Sequence, residues 1–316
     1  MSSASLTAPT SRTAILFFTH LFDNTVRTAF EQLQREASGV GDLFVLTEVT
    51  GAVPSWTGRV HRFDFSQLRQ QYPNIMGSAL IPGNAHLADL SFYKAHPEYD
   101  YCWTIEYDVR FSGSWAVFFE EFQNNTADLL ATHVRRYEDE PAWYWWGTLR
   151  TPDGLVALEK RVRAFLPVRR MSRRILDLLM SRDLQGLGWH GHYECLIPSV
   201  LIHYGLSLED IGGDGFFTPQ ARRCRFYSSF GFHGALRHFG SMRFRPALAF
   251  WGGRSNFLYH PVKSGVGGWF ASAFNLVGCV GYCIRYLCTR HGFTLLRDLA
   301  KYAGAVLSVP KKPSED

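Results

Sequence analysis

A chain of 316 residues, 46% hydrophobic and 19% charged, can bury a full core, which excludes wholesale disorder and admits one large domain or two small ones. The net charge of +5 is a mild excess, and with no nucleic-acid-binding motif beside it a nucleic-acid partner is not expected. Six cysteines in this length do not form a small disulfide framework, so reduced thiols in a cytoplasmic compartment are expected.

The first twelve residues, "MSSASLTAPTSR", lack a long apolar core and read as a short disordered leader, not a signal peptide. "TAILFFTH" (Thr13 to His20) is a continuous apolar run ending in polar residues, as a central parallel strand delivering a loop at its carboxyl end would be. A helix follows, with Val26, Phe30 and Leu33 at helical spacing and Asp23 or Asn24 as cap. "DLFVLTEV" (Asp42 to Val49) is the next strand, and strand, helix and strand together imply a right-handed crossover and an α/β sheet.

A weaker strand is predicted at "RVHRFDF", then a helix in "GNAHLADLSFYKAHPE" that Pro97 closes. The strand "YDYCWTIEYD" ends in Glu106 and Asp108. Behind Gly113, Trp115, Phe118, Phe119 and Phe122 give a helix one thick aromatic face. "DLLATHV" (Asp128 to Val134) is a further strand. "GLVALEKRVRAF" and "SRRILDLLMSRD" are helix candidates, and a third helix ends at Gly205, with Pro198 leaving its start unset.

Two stretches bear on partners. From Lys160 to Arg174 there are seven cations and no acid, a run that suits phosphates or acidic lipid headgroups, or else a solvated helix face. "GWFASAFNLVGCVGYCI" (Gly268 to Ile284) is apolar but short for a membrane span, and reads as an interfacial or a buried helix. Together they suggest peripheral contact at the inner face of a membrane. Cys279, Cys283 and Cys288 lie near His291 without CxxC spacing, so core thiols are expected there rather than zinc.

The acidic strand end has the sharpest chemistry. Residues two apart on a strand share a face, so Glu106 and Asp108 converge where ligands gather in open α/β sheets. A carboxylate pair beside an apolar strand is costly unless something positive lies there. Two such oxygens suit a hard cation, Mg²⁺ or Mn²⁺, and through it a diphosphate. An ordinary ion pair of Glu106 with Arg110 is the alternative.

An apolar strand, E-x-D, "RFSG" and an aromatic helix resemble the acidic metal-binding motif of GT-A-fold glycosyltransferases, which use nucleotide-sugar donors. The resemblance spans roughly Thr13 to Ser264 and is motif-level only at "IEYDVRFSG", "GHYE" and "YHPVK". It implies a Rossmann-like GT-A fold: a mostly parallel central sheet flanked by helices, as a catalytic domain over residues 13–264, with residues 265–316 as an apolar, basic helical tail. Glu106 stands where the family often has aspartate, which makes Asp108 the safer ligand.

The resemblance further implies His260 as a third metal ligand and Lys263 as a phosphate contact. It implies Glu194 as acceptor base, and Thr19, His20 and Asn84, with His86 nearby, as donor contacts. Each has another reading. His260 is equally a loop histidine, Glu194 a helix N-terminal carboxylate, and His190, His192 and Glu194 a separate H-x-H-x-E constellation. Asp214 is a second candidate base or a turn residue. The expected function is metal-dependent transfer of a sugar to a polysaccharide or lipid-linked acceptor; the alternative is a non-catalytic nucleotide- or sugar-binding protein on the same fold.

Overall fold

The computed structural model describes residues 11–48, 51–72, 75–151, 156–181, 184, 188–227, 241–242 and 255–262. Seven strands form the central sheet: β1 (Thr13–Phe18), β2 (Asp42–Glu48), β3 (Val60–Phe63), β4 (Tyr101–Glu106), β6 (Leu129–Arg136), β7 (Val162–Ser172) and β8 (Leu208–Asp210). Their order is β3-β2-β1-β4-β7-β6-β8, and only β7 runs against the others. A two-stranded pair, β5 (Arg110–Phe111) with β9 (Leu258–Tyr259), stands beside it. The chain is therefore a Rossmann-like α/β protein with a mostly parallel sheet, as the alternation of apolar runs and helical spacings implies.

Strand β1 is buried on both faces. Ala14 and Leu16 belong to one apolar layer, and Ile15 and Phe17 to the other. The second layer also holds α1 (Asn24–Glu36) and α4 (Trp115–Phe122) through Phe30, Leu33, Phe118 and Phe122. The first layer holds α2 (Phe65–Gln71), α3 (His86–Ala95), α5 (Arg173–Met180) and α6 (Tyr193–His203). Helix α1 starts where the sequence places its cap: the Asp23 carboxylate accepts from the Val26 amide at 2.9 Å, an interaction worth about 1 kcal/mol.

The basic stretch departs from expectation. Instead of continuing "GLVALEKRVRAF" as a helix, the chain makes a short 3₁₀ turn at Leu158–Lys160 and enters β7, an eleven-residue strand buried throughout. Arg161, Arg163, Arg169 and Arg170 are buried with it. Arg169 pairs with Asp89 at 2.6 Å, both side chains fully buried. Arg163 donates to Glu140 at 2.9 Å and lies over the Trp143 ring. Arg170 donates to the Phe122 and Ala127 carbonyls and lies over Tyr101. Arg161 donates to the Val156 and Trp146 carbonyls.

Arg173 and Arg174 reach solvent but pair with Asp100 and Asp128. Most of the run therefore lies inside the fold, with Lys160, Arg173 and Arg174 at the surface. Guanidinium planes suit this use, because a rigid fork can satisfy several acceptors and stack on rings while out of water.

Among the described residues no helix is long and apolar enough to cross a membrane. The apolar segment Gly268 to Ile284, the cysteines near His291 and the tail from residue 265 all lie outside the described residues.

Candidate metal and acceptor site

Strand β4 ends at Glu106, and the Tyr107 amide still donates to the Phe18 carbonyl at 2.9 Å. The chain then turns, the Val109 amide closing on the Glu106 carbonyl at 2.9 Å. It leaves along β5, where Arg110 faces Tyr259 and Phe111 faces Leu258. That pairing brings a distant segment to the acidic turn. The Val262 amide donates to the Asp108 carbonyl at 2.8 Å, and the Phe257 amide to the Ser112 hydroxyl at 2.9 Å.

Gly113 is needed for the approach, since a Cβ there would lie 3.1 Å from the Asn256 Cα. The "RFSG" that follows the acids is thus the dock for the strand bearing His260.

The result is a cluster of three. Ligand atoms of Glu106, Asp108 and His260 all lie within 4.8 Å of one another. The imidazole Nε2 is 3.4 Å from Asp108 and 3.6 Å from Glu106. Asp108 and His260 are buried, while Glu106 is half-open at the rim. Burial opposes charge on His260, yet the adjacent Asp108 and hydrogen bonds to both carboxylates carry its pKa up to about 10. Two carboxylates and one imidazole are a donor set that could hold a divalent cation.

Glu194 lies in the first turn of α6 and is 5% exposed. Burial, aided by Glu106 and opposed by Arg163 and His260, lifts its carboxyl to about 7. Glu194 therefore belongs to the same electrostatic neighbourhood as the cluster. His192 caps the helix, its Nδ1 accepting from the Glu194 amide at 3.4 Å. Burial and the Arg163 charge push His192 down to about 3, so it is neutral. Two backbone ties fix this helix start: the Tyr193 amide to the Gly83 carbonyl at 3.0 Å and the His192 amide to the Thr148 hydroxyl at 3.0 Å.

The other sequence-stretch candidates separate. Thr19 closes a turn, its hydroxyl donating to the Leu21 carbonyl and accepting from the Leu21 amide. His20 is exposed at the same sheet edge, edge-on to Tyr107 at 5.0 Å. Asn84 is 1% exposed and holds its own loop, donating to the Met76 and Ala79 carbonyls and accepting from the Met76 amide. His86 is buried and stacked on Tyr193. Lys263 lies outside the described residues.

Asp214 pairs with the buried Arg135, an ion pair that anchors its glycine loop and accords with its reading as a turn residue. His190 is bridged to Arg150, and no H-x-H-x-E metal cluster is found among the described residues.

Sequence reasoning missed Asp210. Fully buried, it accepts from the amides of Val134, Gly212 and Gly213 and from the Tyr227 hydroxyl, so it organises the loop after β8. An aspartate directly before "IGG" was the available signal. The buried Asp89 of α3, held by Arg169 and by the Thr104 hydroxyl at 2.5 Å, was also missed, since its partner lies eighty residues away.

Residues 45–144 match a family described as "Protein of unknown function (DUF3405)", a stretch under half of the chain that holds the E-x-D turn but neither Glu194 nor His260. No curated protein matches. Among solved structures the chain is similar to mouse xyloside xylosyltransferase 1 in its apo form, at 14% identity and a TM-score of 0.36, covering 64% of this chain and 85% of that one. It is also similar to a glycosyltransferase involved in the glycosylation of the major capsid of PBCV-1, at 9% identity and a TM-score of 0.25, covering 54% and 66%. These are distant likenesses of backbone, and the functional reading rests on the side chains.

Proposed function

We propose that the protein is a metal-dependent glycosyltransferase, taking a nucleotide-sugar donor and passing the sugar to a hydroxyl of a saccharide or lipid-linked saccharide. The observation that carries this is the convergence of Glu106, Asp108 and His260 at the carboxyl edge of the sheet, from segments some 150 residues apart. Asp108, His260 and Glu106 would hold Mn²⁺ or Mg²⁺, and Lys263 would serve as a phosphate contact. Bound there, the cation supplies positive charge against the charge developing on the departing nucleoside diphosphate.

Glu194 takes the proton from the acceptor hydroxyl as that oxygen bonds to the anomeric carbon and the bond to the diphosphate oxygen breaks. A carboxyl near 7 is matched to this work, because it is substantially ionised at neutral pH and still basic enough to accept a proton. His20, exposed at the sheet edge beside the half-exposed Tyr107, would contact the nucleoside.

The test is a thermal-shift screen of nucleoside diphosphates and nucleotide sugars with and without Mn²⁺, followed by donor hydrolysis. A ligand at a hundred times its Kd stabilises by about 2.7 kcal/mol. A shift that requires Mn²⁺, together with release of free sugar, supports transfer. Binding without turnover points to the non-catalytic reading, and no shift with any nucleotide overturns both.

A further inference from the structure

One side chain braces the turn that carries Asp108. Arg110 opens β5, and its Nη1 donates to the Tyr107 carbonyl at 2.7 Å and to the Val109 carbonyl at 2.8 Å. The residues on either side of Asp108 are thus tied to one guanidinium. Three backbone bonds hold the rest of the turn: the Tyr107 amide to Phe18, the Val109 amide to Glu106 and the Val262 amide to the Asp108 carbonyl. Arg110 ties down the two peptide oxygens that those bonds do not reach.

This matters for where the Asp108 carboxylate points. The Tyr107 carbonyl belongs to the peptide plane that enters Asp108, and the Val109 carbonyl to the plane that leaves the turn for β5. The plane between them is held by the Val109 and Val262 amides. Both backbone dihedrals of Asp108 are therefore set, and with them the direction of its Cα–Cβ bond.

The arginine works from the side away from the acceptor base. It lines a small cavity with Phe17, Leu33, Ile105, Val109 and Trp115, in the apolar layer of α1 and α4. Helix α6, which carries Glu194, packs in the opposite layer. The ion pair of Glu106 with Arg110 that the sequence allows is not formed: among the described residues Glu106 pairs with His260, and Arg110 spends its Nη1 on the turn. Arg110 is half-buried, and burial draws its pKa below the ordinary arginine value, opposed by Asp108, Asp23 and Tyr107. A guanidinium remains a cation there. Its Nη1 carries two N–H groups, enough for one to each carbonyl, and bonds from a charged donor are roughly twice as strong as neutral ones.

We infer that Arg110 is a positioning residue, which fixes the direction in which Asp108 presents its carboxylate to the cation and itself touches neither cation nor substrate. This rests on the reading of Glu106, Asp108 and His260 as a metal site. Groups that orient a metal ligand from behind account for about tenfold to a hundredfold of metal affinity.

Mn²⁺ titration followed by electron paramagnetic resonance tests it, on the full chain and on Asp108→Asn, Arg110→Met and Arg110→Lys. Arg110→Met keeps the apolar stem and removes both ties, so Mn²⁺ affinity should fall about tenfold or more. Arg110→Lys returns a charged head with several donors and should recover most of that loss. Circular dichroism and the thermal midpoint report folding separately, and Arg110→Gln repeats the measurement should the methionine variant not fold. A role confined to stability lowers the midpoint and leaves the Mn²⁺ affinity of the folded protein unchanged.

Three results would overturn the inference: Arg110→Met binds Mn²⁺ as the unmodified protein does, Arg110→Lys binds as weakly as Arg110→Met, or Arg110→Met loses affinity for UDP in the absence of metal, which would make the arginine a phosphate contact. Mn²⁺ binding that Asp108→Asn abolishes reports separately on the metal site. No Mn²⁺ bound by the unmodified protein sinks that site and the inference together, whereas unaltered affinity in Arg110→Met sinks the inference and leaves the site standing.

Discussion

Replacing Glu194 with glutamine keeps the shape of the side chain and removes its ability to take a proton. The carboxyl is lifted from an ordinary 4.5 to about 7, chiefly by burial. That shift corresponds to roughly 3 kcal/mol spent holding the charge inside the protein at high pH. If Glu194 is the base, activity follows its ionised fraction: about a tenth at pH 6, a half at pH 7 and nine-tenths at pH 8. Transfer measured at saturating donor, acceptor and Mn²⁺ should therefore rise about fivefold from pH 6 to pH 7 and less than twofold thereafter. A cation on Glu106 removes one of the influences that raise Glu194, so the limb should fall at or below 7, never above it.

Glu194→Gln should lower transfer on the order of a hundredfold, about 3 kcal/mol of barrier, with its remaining rate flat across this range. Stability supplies an independent reading with a fixed sign. The folded pKa lies above the unfolded one, so the group's contribution is fully present below about 4.5 and lost as pH rises through about 7. The glutamine variant should lose that part of the pH dependence and be at least as stable as the parent at pH 8. Near-normal transfer by Glu194→Gln, or a parent profile flat from pH 6 to pH 8, would refute the assignment.

Asp89→Asn leaves Arg169 fully buried without its counter-charge, which should cost about 3–5 kcal/mol and lower the thermal midpoint by roughly 6–10 °C; an unchanged midpoint in calorimetry would contradict the buried-pair account. Gly113→Ala places a methyl 3.1 Å from the Asn256 backbone, so we expect a stability loss of about 1–3 kcal/mol and weaker Mn²⁺ binding as the strand bearing His260 is pushed away. Unaltered Mn²⁺ affinity in that variant would show that the β5–β9 pairing does not set the site. Because the arginines of β7 are buried or paired, sedimentation of residues 1–264 with anionic vesicles should show no dependence on this run, and salt-sensitive binding lost on Arg173→Gln and Arg174→Gln would contradict that.

The parallel half of the sheet was legible because its strands are buried on both faces and their apolar runs cannot be mistaken for loops. The acidic turn was legible for the opposite reason, since two acids at the end of such a run are costly enough to demand a partner. Strand β7 is not legible in the sequence, because arginine density ordinarily signals solvent. Its cations are neutralised by Asp89, Glu140 and backbone carbonyls from distant segments, and no local pattern encodes those partners. The loop that the Asn84 amide holds and the ion pair of Asp214 with Arg135 are set by the fold and not by any local pattern. The run Trp143 to Trp146 is in plain view, yet which two rings are buried depends in part on Arg163, which arrives from β7 to lie over Trp143.

The account stands most directly on whether Glu106, Asp108 and His260 hold a divalent cation together with a diphosphate. Mn²⁺ titration followed by electron paramagnetic resonance, with and without UDP or GDP, measures this on the intact protein. The account predicts one strongly bound Mn²⁺, tightened by the nucleotide, and its loss in Asp108→Asn and His260→Ala while far-ultraviolet circular dichroism is unchanged. Mn²⁺ binding that survives both substitutions, or no bound Mn²⁺ with either nucleotide, would contradict it.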